Sequence, residues 1–171
     1  MRKAILSLFL LLFTLTGCSR AEQRPPAVYS FSGENDLFAV SNGVIVLNSP
    51  EEIFSGGYLE TFDGFPTDVT AFSATYYARN GAEKDTFLSN AVVDQTGHML
   101  RVSGDLGKIS GDDILTRFAG KELLDFKDNL YLDLTLTDSA GKQHTYTLHM
   151  TVREITGNAN MRFGSEMEGA S

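Results

Sequence analysis

The sequence predicts an all-β domain: an antiparallel β-sandwich of Ig-like architecture, with about seven to nine strands and at most one short helix. Turn signals recur roughly every ten residues between short segments rich in Val, Ile, Thr, Tyr and Phe, which is the spacing typical of sandwiches. Two late segments, 130–137 and 145–152, alternate apolar and polar residues. Such alternation places one face of a strand on a core and the other in water. A β-barrel is the alternative architecture.

The first half of the domain predicts short strands separated by turns. Residues 41–43, Ser-Asn-Gly, are a turn signal typical of tight hairpins. The β-branched run at 44–47 is typical of a strand buried on both faces or nearly so, whereas 48–57, which contains a Pro and a Gly pair, predicts a loop. The strands predicted in this half lie at 28–32, 37–40, 44–47, 58–62 and 67–78.

The second half predicts strands at 85–94 and 99–103, followed by a hairpin that turns at 138–142. A one-residue slip in this hairpin would expose four leucines, so the pattern specifies its register. We expect the core to draw on the run at 44–47, on some of Phe72, Tyr76 and Phe87, and on apolar hairpin positions, namely Leu130, Leu132, Leu134, Leu136, Tyr146, Leu148 and Val152.

Residues 110–120 leave two conformations open. Ser110 resembles a helix N-cap with Asp113 at the capping-box position, and Ile114, Leu115 and Phe118 share one helical face before Gly120. An extended conformation is the alternative. The tail at 157–171 has no sustained apolar pattern and is predicted to be flexible, which places the folded domain at 27–156.

The N-terminal segment has the features of a secretory signal. Arg2 and Lys3 precede thirteen mostly apolar residues at 4–16. That run is shorter than the ~20 residues a transmembrane helix needs, and it has the length of a signal-peptide apolar region. It also lacks the polar face expected of a surface helix that packs on a core.

Residues 15–18, Leu-Thr-Gly-Cys, resemble the lipobox of bacterial lipoproteins at all four positions. The resemblance implies a signal peptide at 1–17, cleavage between Gly17 and Cys18, and a diacylglyceryl group with palmitate-like chains on the Cys18 sulfur. Two or more acyl chains give stable membrane anchoring. The resemblance therefore implies a protein anchored by its lipid to the extracytoplasmic face of a cell membrane.

A short tether and an acidic surface follow the lipobox. Residues 18–26 comprise the lipidated cysteine and a polar segment ending in two prolines, which reads as a stiffened tether. Removing Arg2 and Lys3 from the 14 basic residues leaves 12 against 22 acidic residues, a formal net charge of −10. Nucleic acid is therefore not an expected partner, because its binding needs basic patches. Cys18 is the sole cysteine, so no internal disulfide is expected.

A second resemblance concerns the domain itself. Residues 30–35, Ser-Phe-Ser-Gly-Glu-Asn, and the hairpin from Asn129 to Val152 are similar to segments of small uncharacterised lipoproteins of Gram-positive bacteria. These segments cover about a third of the chain. The resemblance supports the architecture and implies no activity.

The motifs of catalysis and metal binding give no match. His98, His144 and His149 do not form a zinc pattern, and no nucleophile elbow, phosphate loop or dinucleotide fingerprint occurs. The chain is therefore predicted to be non-enzymatic, without cofactor or metal. Two acidic turns make a calcium-stabilised module one alternative, although neither matches a calcium loop; their residues are Glu34 with Asp36, and Asp105 with Asp112 and Asp113. A surface hydrolase with a carboxylate pair is the other alternative.

Aromatic residues supply the candidate binding face. Phe54, Tyr58, Phe62 and Phe65 surround a Gly-rich loop, and clustered exposed aromatics suit protein or glycan recognition. Tyr76 and Tyr77 are adjacent on a predicted strand, so one of them is expected to be exposed. The function predicted is a non-catalytic, lipid-anchored accessory module of the cell envelope that binds an envelope protein or a wall polysaccharide.

Overall fold

The computed structural model describes residues 26–47, 51–96, 98–112 and 128–155. In these ranges the chain forms eleven strands in two antiparallel sheets and contains no helix, which confirms the predicted all-β sandwich. The strands outnumber the expected seven to nine because five of them have four residues or fewer. The predicted signal, lipid site and tail lie outside the described residues.

The two sheets divide the strands unequally. The larger sheet has the order β11-β1-β2-β3-β8, with β4 also paired to β2 and β7 paired to β4, and the smaller sheet has the order β10-β9-β5-β6. The bounds are β1 (Ala27–Glu34), β2 (Phe38–Leu47), β3 (Glu52–Ser55), β4 (Tyr58–Thr61), β5 (Val69–Asn80), β6 (Glu83–Val93), β7 (Gly104–Asp105), β8 (Lys108–Gly111), β9 (Leu130–Asp138), β10 (Gln143–His149) and β11 (Thr151–Glu154).

The core lies between the sheets and is built from alternate residues of both. The leucines of β9 are completely or almost completely buried while the residues between them are half-buried, as the period-two pattern predicts. Aromatic rings of the two sheets contact each other in the core: the ring centroids of Phe54 in β3 and Tyr76 in β5 lie 5.1 Å apart. Other fully buried members of the core are Phe38, Ile45, Leu59, Leu130, Leu132, Leu134, Leu136 and Met150.

The turn predicted at 41–43 is wrong, because β2 runs straight through it. Phe31 pairs with Gly43 and Gly33 pairs with Val40, so two residues of β2 stand opposite one residue of β1. This is a β-bulge, in which an extra residue is accommodated within a continuous strand. Asn42 takes the left-handed conformation there, with φ 58°, which Asn tolerates better than most residues. The Asn-Gly signal was real but marks a bulge.

The segment 44–57 also differs from the prediction. Within 44–47 only Ile45 and Leu47 are buried, and Val44 and Val46 are half-buried, so this run packs on one face and not on both. The predicted loop at 48–57 contains β3, which pairs with both β2 and β8. Its four residues alternate between buried and half-buried positions, a pattern too short to be recognised beside Pro50 and the Gly pair.

The strand predicted at 145–152 is two strands in different sheets. β10 pairs with β9 in the smaller sheet, whereas β11 pairs with β1 in the larger one. The chain crosses at Met150, which is fully buried and whose backbone N–H donates to the carbonyl of Leu130 at 2.8 Å. Apolar alternation continues across the crossing because Leu148, Met150 and Val152 all face the same core. Tyr146 is only partly buried.

Two smaller predictions, for residues 99–103 and for Ser110, are wrong. Residues 99–103 form no strand; the backbone N–H of Leu100 instead bonds the carbonyl of Val69. Ser110 is paired within β8 and is therefore not a helix N-cap. The remainder of the segment predicted as helical or extended, from Asp113 on, lies outside the described residues.

Candidate binding surface

The four aromatics predicted as a binding face do not share a surface. Phe54 is completely buried, because it occupies an inward position of β3 and stacks on Phe31 at 5.3 Å. Phe65 is partly buried against Phe38, with the ring centroids 6.3 Å apart. Tyr58 and Phe62 are exposed, by 49% and 40%. Phe54 was therefore wrongly included in the candidate face, and two exposed rings remain of it.

The two adjacent tyrosines of β5 are both fully buried, contrary to the expectation that one is exposed. Tyr76 points into the core and its hydroxyl donates to the carbonyl of Gly56 at 2.5 Å; burial raises the pKa of this hydroxyl. Tyr77 points to the outer side of the smaller sheet, where the side chains of Tyr131 and Lys84 contact it. The expectation failed because neighbouring side chains cover the outward ring.

The outer side of the smaller sheet carries aligned rows of hydroxyl side chains, which we call the hydroxyl face. Strand register places Thr75 beside Asp133 and Ser89, and Thr135 beside Ser73 and Thr145. These positions alternate with the buried leucines of β9, so they point away from the core. The hydroxyl face consists of Ser73, Thr75, Ser89, Thr135, Thr137, Thr145 and Thr147.

Hydroxyl groups on this face are paired across strands. The Thr75 and Ser89 oxygens lie 3.0 Å apart, and so do the Thr135 and Thr145 oxygens. A hydroxyl offers one donor and two acceptor positions. Each pair therefore holds its own side chains in place and still has capacity to bond a ligand.

One end of the hydroxyl face is closed by a row of three rings, Tyr77, Tyr131 and His149, which we call the aromatic row. Register aligns them on β5, β9 and β10. Tyr77 and Tyr131 stack at 5.6 Å with an interplanar angle of 17°, and the His149 ring lies 4.9 Å from Tyr131. The carbonyl of Asp128 lies 3.1 Å from His149 Nε2; since a carbonyl only accepts, this nitrogen carries the proton in that bond.

Asp133 connects the aromatic row to the hydroxyl face. Its Oδ1 accepts from the Tyr77 hydroxyl at 3.1 Å and from the Thr147 hydroxyl at 2.7 Å, while its Oδ2 pairs with Lys84 Nζ at 2.5 Å. Burial works to raise the pKa of the Asp133 carboxyl, but the bonds from Lys84, Thr147 and Tyr77 outweigh it, and the pKa lies below its ordinary value. The bond from Asp133 in turn raises the pKa of Lys84. The charge of Asp133 is thus offset in place.

Arg79 is exposed above the aromatic row. Its guanidinium carbon lies 4.3 Å from the centre of the Tyr131 ring, a cation–π contact. The backbone of Arg79 is held by Asn129, whose side chain accepts from the Arg79 N–H at 3.1 Å and donates to the Arg79 carbonyl at 2.8 Å. Within the described ranges, no carboxylate forms an ion pair with this guanidinium.

A pocket of about 260 Å³ opens near the other end of β9. Small-molecule sites usually measure ~300–1,000 Å³, so this one is small. Two of its lining residues, Asp138 and His144, contact each other, with Asp138 Oδ2 and His144 Nε2 3.6 Å apart. The backbone N–H groups of Lys142 and Ala140 bond the same carboxylate and hold the pKa of Asp138 below its ordinary value, so Asp138 shapes the β9–β10 turn. The pocket is lined by Pro66, Asp68, Val69, Leu136, Asp138, His144 and Tyr146.

Other candidate residues are assigned as follows. Asp105 accepts the backbone N–H of Gly107 at 2.6 Å within a turn, and no group of three or more metal-ligating residues occurs in the part of the chain that the structure describes. The described segments also contain no helix capable of crossing a bilayer. Gly17 and Cys18 lie outside them, so lipidation stays a prediction.

The sequence predicts only the part of the hydroxyl face that lies on β9 and β10. The polar alternation at Thr135, Thr137, Thr145 and Thr147 predicted their solvent-facing side. That β5 lies next to β9, bringing Tyr77 and Arg79 to the same surface, depends on strand order, and no local pattern encodes that order.

Comparison of the chain with protein-family models, with curated proteins and with solved structures found no significant match.

Proposed function

We propose that this protein is a non-catalytic, lipid-anchored module of the bacterial cell envelope that binds wall polysaccharide along the hydroxyl face. The observation that carries the proposal is the hydroxyl face itself: aligned rows of Ser and Thr on four neighbouring strands, closed at one end by the aromatic row. The lipobox at 15–18 supports the envelope location.

The dimensions of the hydroxyl face suit an extended sugar chain. Side chains on one side of a strand repeat every ~7 Å, and neighbouring strands lie ~4.8 Å apart. From the aromatic row to the row of Thr137 the face therefore measures ~20 Å along the strands and ~14 Å across four of them. A chain of a few sugar units fits on this area and would contact several of the hydroxyl rows.

The chemistry of the face favours a polysaccharide over an envelope protein. Stable protein interfaces have an apolar centre with buried anchor residues. The centre of the hydroxyl face is polar, and its Tyr77 ring is already buried beneath Lys84 and Tyr131. Aligned hydroxyls that retain hydrogen-bonding capacity match the hydroxyls of a sugar chain.

The tether fits a position close to the membrane. The eight residues at 19–26 span at most about 25–30 Å when extended. With two or three acyl chains on Cys18, the domain would stay within that distance of the bilayer, where a sugar polymer of the surrounding wall is within reach.

Binding is tested with the full-length protein in mild detergent and insoluble wall polysaccharide in a co-sedimentation assay. Thr135→Val with Thr145→Val removes a hydroxyl pair while keeping β-branched side chains, and Thr151→Val on the exposed side of β11 is the matched control. We expect the double variant to lose at least about tenfold in affinity, as the loss of two hydrogen bonds implies, and the control to bind like the wild type. Equal binding by all three proteins, or no binding by the wild type, would refute the proposal.

The anchor is tested separately by Cys18→Ala in cells fed with labelled palmitate. We expect the label to be lost and an uncleaved precursor to accumulate, because the thiol is the proposed acceptor of the lipid. Label retained in the variant would contradict the assignment of Cys18.

A further inference from the structure

The region around Arg79 differs in charge from the rest of an acidic protein. Arg79 and Lys84 stand directly opposite each other in the β5–β6 ladder, and like charges in that position are destabilising unless they are offset. Lys84 is offset by its ion pair with Asp133. Arg79 is offset only by the Tyr131 ring among the described residues, so one positive charge is left at the surface.

The guanidinium of Arg79 is also positioned for a ligand. It is exposed, its backbone is fixed by two bonds to Asn129, and the stacked Tyr131 ring limits its movement. A guanidinium held in this way can donate two parallel bonds to a carboxylate or a phosphate. Little binding energy is then spent on ordering the side chain.

The hydroxyl face does not repel an anion at close range. Asp133 is the only acidic residue on its aligned outward positions in the described chain, and Lys84 neutralises it. The formal net charge is −8 for the whole sequence and −10 after the predicted cleavage. It acts from a distance, and salt screens such interactions beyond ~8 Å at physiological ionic strength. A negatively charged sugar lying along these aligned positions would meet no carboxylate other than the paired Asp133.

We infer that the polysaccharide bound by the hydroxyl face is acidic, and that Arg79 binds its carboxylate or phosphate groups at the end closed by the aromatic row. This inference rests on the proposed function, since it names the chemistry of the ligand for the same surface. His149 borders this site, and its Nε2 is held by the Asp128 carbonyl at 3.1 Å.

The test compares charged and uncharged forms of one polymer, using the full-length protein in detergent and calorimetric titration. Polygalacturonate and its methyl ester share one sugar backbone and differ in whether the carboxylate is free or esterified, and poly(glycerol phosphate) provides the phosphate form. We expect at least about tenfold tighter binding of an anionic polymer than of the methyl ester. Stronger binding of polygalacturonate would indicate a carboxylate ligand, and stronger binding of poly(glycerol phosphate) a phosphate ligand; either supports the inference.

The variant Arg79→Gln should abolish this preference and leave the weaker binding of the methyl ester unchanged. Arg153→Gln, on the exposed side of β11 in the other sheet, makes the same change in charge and should keep the preference. Arg79→Lys retains the charge without the planar fork, and we expect it to keep only part of the preference. The melting temperature of each variant is measured as well, so that loss of folding is distinguished from loss of the Arg79 contact.

Two failures are distinguishable. If wild-type protein binds the methyl ester as tightly as polygalacturonate and poly(glycerol phosphate), or if Arg79→Gln keeps the preference, the inference about charge is wrong while polysaccharide binding stands. If no polymer, charged or uncharged, is bound, the proposed function is wrong as well.

Discussion

Replacing Gly43 by alanine should destabilise the protein, although the same change stabilises many others. A Gly→Ala substitution at an ordinary φ angle typically stabilises by ~0.4–1 kcal/mol, because the unfolded chain loses freedom. Gly43 is not among the residues with positive φ, so its backbone would tolerate alanine. The obstacle is the space beside it.

A methyl group at Gly43 would overlap the ring of Phe31. An ideally placed Cβ comes closer than 3.0 Å to three of the ring atoms, Cε2, Cδ2 and Cζ, whereas carbon atoms in contact normally lie ~3.5–4.0 Å apart. Phe31 cannot easily retreat, because it is buried between Phe54 at 5.3 Å and Tyr76 at 5.6 Å. Overpacking of this kind costs ~1–3 kcal/mol.

The measurement is urea denaturation of the full-length protein in detergent, followed by far-ultraviolet circular dichroism. Gly43→Ala should lower the free energy of unfolding by ~1–3 kcal/mol with an unchanged denaturant slope. Phe31→Leu should relieve the overlap, so the double variant should be less destabilised than the sum of the single ones, by at least ~0.5 kcal/mol. A stabilised Gly43→Ala protein, or strictly additive effects of the two substitutions, would refute the predicted overlap between the added methyl group and the Phe31 ring.

Three further predictions concern the core, the Asp133 cluster and calcium. Tyr76→Phe should lower the free energy of unfolding by ~1–3 kcal/mol, because it leaves the Gly56 carbonyl without its partner; Tyr58→Phe, at an exposed ring, should change it little. Because the pKa of Asp133 is lowered on folding, its stabilising contribution should be complete above the ordinary value of 3.8 and be lost as the pH falls through the lowered value. Asp133→Asn should remove that part of the pH dependence, and an unchanged acid limb in unfolding curves would contradict it. Chelation of calcium with EGTA should leave the melting temperature unchanged, and a fall would revive the calcium-stabilised alternative.

The parts of the fold that follow a two-residue period were predictable from the sequence. Each leucine of β9 is followed by a polar residue, and burial decides which side such a strand presents to the core. The prediction failed where the same pattern had two structural outcomes. The alternation at 145–152 is equally consistent with one strand and with two strands of different sheets, because the core face is common to both.

Turn chemistry was ambiguous in a comparable way. An Asn-Gly pair suits the left-handed backbone of a hairpin turn, but a bulge also accommodates it, and here only Asn42 is left-handed. Which one forms is decided by the length of the pairing with β1, which continues on both sides of residues 41 and 42. That pairing is a long-range property. The same holds for Arg79 and Tyr131, which are 52 positions apart in the sequence and meet only because β5 and β9 are neighbours.

The connection between the tether and the sandwich leads to a last prediction. The described chain enters through β1, a strand of the larger sheet, whereas the hydroxyl face is the outer side of the smaller sheet. Packed sheets are ~10 Å apart, so the attachment point and the binding surface lie on different layers. If the lipid and the sugar polymer are held by these two layers, membrane attachment should not block binding. Lipidated protein in liposomes should therefore bind the polysaccharide with the same affinity as in detergent, measured by flotation with labelled polymer. A loss of binding on liposomes, with binding retained in detergent, would show that the membrane covers the hydroxyl face.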